Sequence, residues 1–357
     1  MALQFCNTAI LLRDLLIIGA GPSGLSAAIA AGKGGLDYQV LEQGVLVNSI
    51  FRFPPQMVFF TTPELLEIGG LPFVSPYDKP TRTEALRYYR RVVDTYDLRI
   101  ALDEAVISVT RELDESAGSG PSTDLTAGPS SELRTGGHFI VETRTSRGVT
   151  RVREARNVVF AIGYYDRPNM LGVPGEDLPH VSHFYADPHP YYRQRVVIVG
   201  GGNSAAEAAL EMYRAGVSVT LVHRAAELKH TVKYWVRPDI ENRIKAGSIA
   251  AAFCSEVVEI RPMVVVVRSA TGETREIAAD AVFLLTGYRA DKALMQAAGV
   301  RFNNRDAPVF NPETFETTVP GLFVAGGAIA GVDTGTIFIE NGRFHGERIV
   351  EVIAGRL

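Results

Sequence analysis

The sequence predicts an α/β protein built from two doubly wound domains. Two segments each read as strand, glycine turn, helix, strand, and their turns start 200 − 19 = 181 residues apart. The chain's 357 residues amount to about two domains at ~150 residues each. Hydrophobic residues make up 46% and charged residues 21%, ordinary globular values that exclude wholesale disorder.

The first unit opens with an apolar strand, Asp14-Leu15-Leu16-Ile17-Ile18. The turn Gly19-Ala20-Gly21-Pro22-Ser23-Gly24 follows, then an Ala-rich helix to about Ala31 and a strand ending Val40-Leu41-Glu42. Further on, residues 104–111 and 138–144 read as strands around 114–137, a stretch rich in Ser, Gly, Thr and Pro. That pattern predicts a hairpin with a long flexible tip, a tolerated surface insertion. The second unit runs Arg195-Val196-Val197-Ile198-Val199, then Gly200-Gly201-Gly202-Asn203-Ser204-Ala205, then an Ala/Glu-rich helix to about Ala215. Its second strand is Val217-Ser218-Val219-Thr220-Leu221-Val222.

Gly-x-Gly-x-x-Gly has a physical reason in this setting. The first glycine permits a tight turn, the second lets a pyrophosphate approach the backbone, and the third lets helix and strand pack closely. The helix N-terminus then offers unpaired N–H groups and partial positive charge to phosphates. Both units therefore read as Rossmann-like dinucleotide sites. The residue ending the second strand discriminates between nucleotides. Glu42 lies 18 positions after Gly24, and His223 lies 18 after Ala205. A carboxylate accepts hydrogen bonds from ribose hydroxyls. His223 and Arg224, with Lys229 and Lys233 downstream, instead suit a 2′-phosphate. The first site is expected to hold an unphosphorylated adenosine ribose and the second NADPH.

The charge balance of 36 − 40 = −4, with no like-charge block, argues against a nucleic-acid partner. Two cysteines, Cys6 and Cys254, exclude a disulfide framework and a cysteine-rich metal site, and no metal is expected. Residues 15–32 carry no charge, but their glycines, serines and Pro22 suit a strand and turn better than a membrane helix. The first dozen residues have no basic stretch of a signal peptide, so a cytoplasmic location is expected.

From about Asp14 to its end the chain resembles the thioredoxin reductase-like flavoproteins with two dinucleotide-binding domains. Residues 158–163, 283–288 and 321–327 match their strand-and-turn landmarks. Peculiar strings narrow the likeness: 47–50, 66–69, 163–169, 173–179, Lys233-Tyr234-Trp235 and 339–346 resemble the YpdA-type bacillithiol disulfide reductase family. The resemblance implies FAD in a discontinuous domain, 1–169 plus 289–357, and NADPH in an inserted domain, 170–288. For FAD it implies Gly19, Gly21, Pro22, Ser23, Gly24, Glu42, Gln43, Asn48, Ser49, Val106, Ala161, Gly163, Gly326 and Ile337. For NADPH it implies Gly200, Gly202, Asn203, Ser204, Ala205, His223, Arg224, Lys229, Lys233 and Gly287. Residues 336–342 are expected to begin a helix directed at the flavin, and Tyr164 and Tyr165 to pack against nucleotide. The acceptor implied is a low-molecular-weight disulfide such as bacillithiol disulfide, or a small redox protein, and the assembly a homodimer.

This chain also departs from its relatives. Gly327 stands where many carry Asp. The Cys-x-x-Cys of ordinary thioredoxin reductases is absent, which excludes thioredoxin reduction by a protein dithiol. The YpdA-type family places its thiol in Gly-Pro-Cys-Gly, whereas this chain has Ser23, and a hydroxyl forms no mixed disulfide. Cys6 falls in a frayed N-terminus, and Cys254 is expected as a small buried hydrophobe in a strand over 249–258. Ser23, at the family's thiol position, and His345, as a proton relay, are the candidate catalytic residues; His183 and His189 are weaker ones. Competing readings are a ferredoxin or flavodoxin–NADP reductase and a non-catalytic NADPH/flavin redox sensor. The Phe-x-Gly-x-x-x-His signature of flavin monooxygenases is not present around Phe184 and His189.

Overall fold

The computed structural model describes residues 11–113, 137–332 and 334–356. The expected hairpin tip and Cys6 lie outside the described residues. In chain order the first elements are β1 (Leu12–Ile18), α1 (Pro22–Lys33), β2 (Tyr38–Leu41), α2 (Asn48–Phe51) and α3 (Arg82–Tyr96). Then come β3 (Ile100–Ala101), β4 (Ala105–Glu112), β5 (His138–Arg144) and β6 (Thr150–Phe160). The inserted part holds β7 (Val181–Ser182), β8 (Arg195–Val199), α4 (Asn203–Arg214), β9 (Ser218–Val222) and α5 (Arg237–Lys245). It continues with β10 (Ala250–Ala252), β11 (Ser255–Arg261), β12 (Val264–Ser269), β13 (Thr274–Ala278) and β14 (Ala281–Leu284). The chain returns through α6 (Lys292–Ala297), β15 (Leu322–Val324), α7 (Ile339–Gly342) and α8 (His345–Ala354).

The chain divides into two compact units. One comprises Met1–Phe51, Val58–Tyr164 and Ala290–Leu357; the other comprises Arg52–Met57 and Tyr165–Arg289. In the first, the sheet runs β3-β2-β1-β6-β5-β4, and β15 also pairs β6. The long β6 does two jobs. The predicted hairpin is β4 paired antiparallel with β5; the first half of β6 adds antiparallel to the other edge of β5, and its second half lies between β1 and β15, parallel to both. Leu15, Leu16 and Ile17 on β1 are fully buried, as a strand covered on both faces requires. Helix α3 starts at a capping box, Thr81 with Glu84, which satisfies N–H groups the helix leaves unpaired.

In the second unit, a parallel sheet runs β10-β9-β8-β14-β7, with a separate antiparallel sheet β11-β12-β13. The doubly wound class is borne out. The strand expected over 249–258 is not continuous. It breaks at Cys254, which takes φ 49° and is exposed, so the expectation of a buried thiol is corrected. The chain must turn there, because β10 belongs to one sheet and β11 opens the other. Residues 52–57, which carried no signal in the sequence, join this unit. Arg52 pairs with Asp166 at 2.9 Å, and Phe53 meets Tyr165 edge-on at 4.8 Å.

Candidate functional site

The first unit's turn is built by close contact. Gly19 has φ +108°, and a methyl on Gly24 would come 1.9 Å from the Gly19 carbonyl oxygen. Only glycine at position 24 lets α1 begin against β1. Around Gly21 nothing lies within 4 Å of where a methyl would sit, and the same holds at Gly163. Pro22 occupies the first helical position, where a missing N–H costs nothing. Glu42 is 5% exposed, and its carboxylate accepts from the Ala20 N–H at 2.8 Å and the Gly44 N–H at 2.9 Å. The open turn, the helix N-terminus and a held carboxylate fit an adenosine dinucleotide such as FAD. Asn48 lies over Gly44, Ser49, Val106 and Ile337 are half-buried, and Gln43 is exposed.

Behind Glu42 stands a group that sequence reasoning missed. Glu104 is 2% exposed and bonds Arg153 Nη2 at 2.9 Å, the Thr143 hydroxyl at 3.0 Å, and Arg151. Burial opposes its charge, but the bonds from Arg153 and Thr143 outweigh it and hold the carboxyl below its usual range. The Glu104 N–H donates to the Glu42 carbonyl at 2.8 Å, which ties the network to the end of β2.

Ser23 and His345 both approach Gly326, and Ser23 also approaches Gly342. A methyl on Gly326 would come 2.4 Å from the Ser23 hydroxyl oxygen, and one on Gly342 would come 3.1 Å from it. The Gly326 N–H donates to His345 Nδ1 at 3.1 Å, so the neutral ring carries its proton on Nε2. The ring stacks on Phe315 at 4.3 Å, and burial pushes its pKa down to about 4. The Tyr164 ring fills the space at Gly327, where a methyl would meet it at 2.7 Å. A side chain at position 327 would have to displace that ring. Ala161 is buried, with its carbonyl oxygen against Gly19. The expected helix over 336–342 is only the short α7, and α8 starts separately at His345. Tyr165 packs in the other unit with Phe53, Phe184 and Tyr288.

In the second unit Gly200 takes φ +152°, and Ala205 is fully buried where the first unit has Gly24. Gly202 is open except for the Lys229 side chain, whose Cδ comes 4.0 Å from the methyl position. His223 is 6% exposed, and its ring lies on Gly201. Burial first, then Lys229 and Arg224, lower its pKa, so the ring is neutral. Arg224, Lys229 and Ser204 are exposed. Cationic side chains beside an open helix N-terminus fit the phosphates of NADPH. Gly287 has φ +98°, and its carbonyl accepts from the Asn169 N–H at 2.9 Å. His183 Nε2 lies 2.9 Å from the buried Glu176 carboxylate, and His189 is exposed. On α4, burial and Glu211 push Glu207 up to about 7, against Lys233. Among the described residues no cluster of three or more His, Cys, Asp or Glu is placed to hold a metal. None of their helices is long and apolar enough to cross a membrane.

A family model described as pyridine nucleotide-disulphide oxidoreductase matches residues 16–117 and 133–326. The chain is 40% identical over 342 residues to bacilliredoxin reductase Bdr of Bacillus subtilis, covering 96% of this chain and 97% of that protein. Its structure is similar to bacillithiol disulfide reductase Bdr (YpdA) from Bacillus cereus, with TM-score 0.88 and 36% identity over 97% of this chain and 100% of that one. The Staphylococcus aureus counterpart gives TM-score 0.85 and 34% identity over 97% of this chain and 99% of that one.

Proposed function

Because the chain belongs to the pyridine nucleotide-disulphide oxidoreductase family, and within it to the bacillithiol disulfide reductases, we propose that it reduces bacillithiol disulfide with NADPH. The chemistry supplied by its bound cofactors, NADPH and FAD, is two-electron transfer: NADPH, one proton and a disulfide give NADP⁺ and two thiols. The observation that carries the reading is the pair of glycine turns, one beside a held carboxylate and one beside exposed cations.

In this reading the chain's own residues bind and orient. Gly21 and the α1 N-terminus take the FAD pyrophosphate, Glu42 its ribose, and Asn48, Ser49, Gly163 and Gly326 line the rest. Gly202 and the α4 N-terminus take the NADPH pyrophosphate, and Arg224, Lys229 and Lys233 its 2′-phosphate. Neutral His223 is a spacer on Gly201 rather than a charge partner. Ser23 packs between Gly326 and Gly342 and forms no covalent bond to substrate. His345 holds the Gly326 N–H; with its pKa near 4 it is a positioning residue and a poor proton donor at neutral pH. Electrons therefore reach the disulfide without a protein thiol. The reading includes a cytoplasmic homodimer, by likeness to the family.

The test is anaerobic reduction by NADPH, then mixing with bacillithiol disulfide or oxidised bacilliredoxin. Bacillithiol disulfide should reoxidise the wild type and a Cys6→Ser/Cys254→Ser variant at similar rates. Reoxidation by bacilliredoxin alone would move the acceptor to the protein. A cysteine-free variant that keeps FAD but fails to turn over would end the thiol-free route.

A further inference from the structure

Building on the NADPH reading, we infer that Asn203 is a positioning residue: it clamps the basic loop 229–233 to the second glycine turn and thereby sets discrimination for the 2′-phosphate. Asn203 opens α4, and both ends of its side-chain amide are committed to that loop. Nδ2 donates to the Thr231 carbonyl at 3.1 Å, and Oδ1 accepts from the Lys233 N–H at 2.9 Å. A third bond runs from the Lys229 N–H to the Gly201 carbonyl at 2.8 Å. The loop is turned by the Val232 N–H to the Lys229 carbonyl at 3.0 Å, and the buried Val232 side chain anchors it in the core.

The consequence is electrostatic and entropic. Exposed lysines on an unheld loop lose conformational freedom when they meet an anion, and that loss subtracts from affinity. Three backbone-directed bonds remove much of that loss beforehand, with Lys229 already lying over Gly202. His223 cannot supply the missing attraction, because its ring is buried on Gly201 with its pKa lowered. Discrimination therefore falls to Arg224 and to lysines whose position depends on Asn203. Adenosine and pyrophosphate contacts, made by the turn itself, do not need the clamp.

The experiment uses the FAD-loaded protein and two probes, adenosine 2′,5′-bisphosphate and 5′-AMP, with affinities read by calorimetry. The wild type should bind the bisphosphate at least about tenfold tighter, as a charge-assisted contact predicts. Asn203→Ala should weaken the bisphosphate roughly tenfold and 5′-AMP less than about twofold, the scale of two lost hydrogen bonds. It should raise KM for NADPH while leaving kcat in place. The single tryptophan, Trp235, sits next to the clamp and should report a changed emission spectrum as the loop loosens. In a Lys229→Ala/Lys233→Ala background, Asn203→Ala should add almost nothing, since it acts through those lysines. Where Asn203→Ala does not fold, Asn203→Ser, too short to reach both partners, carries the same expectations. Equal loss for both probes, no loss, or a full penalty in the lysine-free background would overturn the clamp. A wild type blind to the 2′-phosphate would instead remove the NADPH assignment, before any variant is compared.

Discussion

In the first unit the strand after the helix leads into Glu42, a buried carboxylate tied to the Ala20 and Gly44 N–H groups; in the second it leads into His223, an uncharged ring laid on Gly201. The scaffolds match otherwise: parallel β1 and β2 around α1, parallel β8 and β9 around α4. One backbone plan thus carries two electrostatic designs. The first unit places one carboxylate there, held by backbone donors and tied through its own carbonyl to Glu104. The second leaves the equivalent position uncharged and sets Lys229 and Lys233 on a bonded loop, which under the proposed clamp makes the loop's anchoring part of the selectivity.

The largest expected effect tests the packing beneath both designs. Gly24→Ala puts a methyl 1.9 Å from the Gly19 carbonyl oxygen, a backbone atom that cannot step aside. It should cost about 3 kcal/mol or more, or prevent folding. The reciprocal Ala205→Gly should cost only about 1 kcal/mol, the ordinary helix penalty for glycine. Urea unfolding of both variants checks this, and equal losses would break the comparison.

A middle-sized effect tests the first unit's electrostatics. Glu42→Arg removes charged hydrogen bonds worth about 1.5–3 kcal/mol each. Flavin retention through dialysis should fall at least tenfold by the same scale. A variant that stays as yellow as wild type would show that Glu42 does not hold the ribose.

The smallest effect compares the two imidazoles, both pushed toward neutrality by burial. His345 titrates near its ordinary 6.5 in the unfolded chain and at about 4 in the fold. The unfolded state therefore takes up the proton first. The stability His345 contributes is complete above pH 6.5 and is lost as pH falls from there toward about 4. His345→Gln should flatten the decline between pH 6.5 and 5, measured by denaturant midpoints; an unchanged slope would place that ring in a more polar setting.

Much of this was legible before any coordinates. Apolar runs bounded by glycine marked β1, α1, β8 and α4, because strand and helix periods and turn chemistry are local properties. Counting 18 residues from each turn found Glu42 and His223. The count did not show that His223 would be buried on Gly201. Cys254 was misread because an apolar run does not reveal where one sheet ends and another begins. The Glu104 network, Tyr164 over Gly327, and the Asn203 clamp join residues 28 or more positions apart. No local pattern encodes such pairs.

The sequence by itself determined the two units, their order and the difference in charge between their nucleotide sites, since these follow from short-range periodicity and residue chemistry. Only the tertiary structure decided which charged groups stay exposed beside the glycine turns and which are used up in holding the fold. That choice rests on burial and on hydrogen bonds between distant segments, as with Ser23, which the returning chain encloses between Gly326 and Gly342.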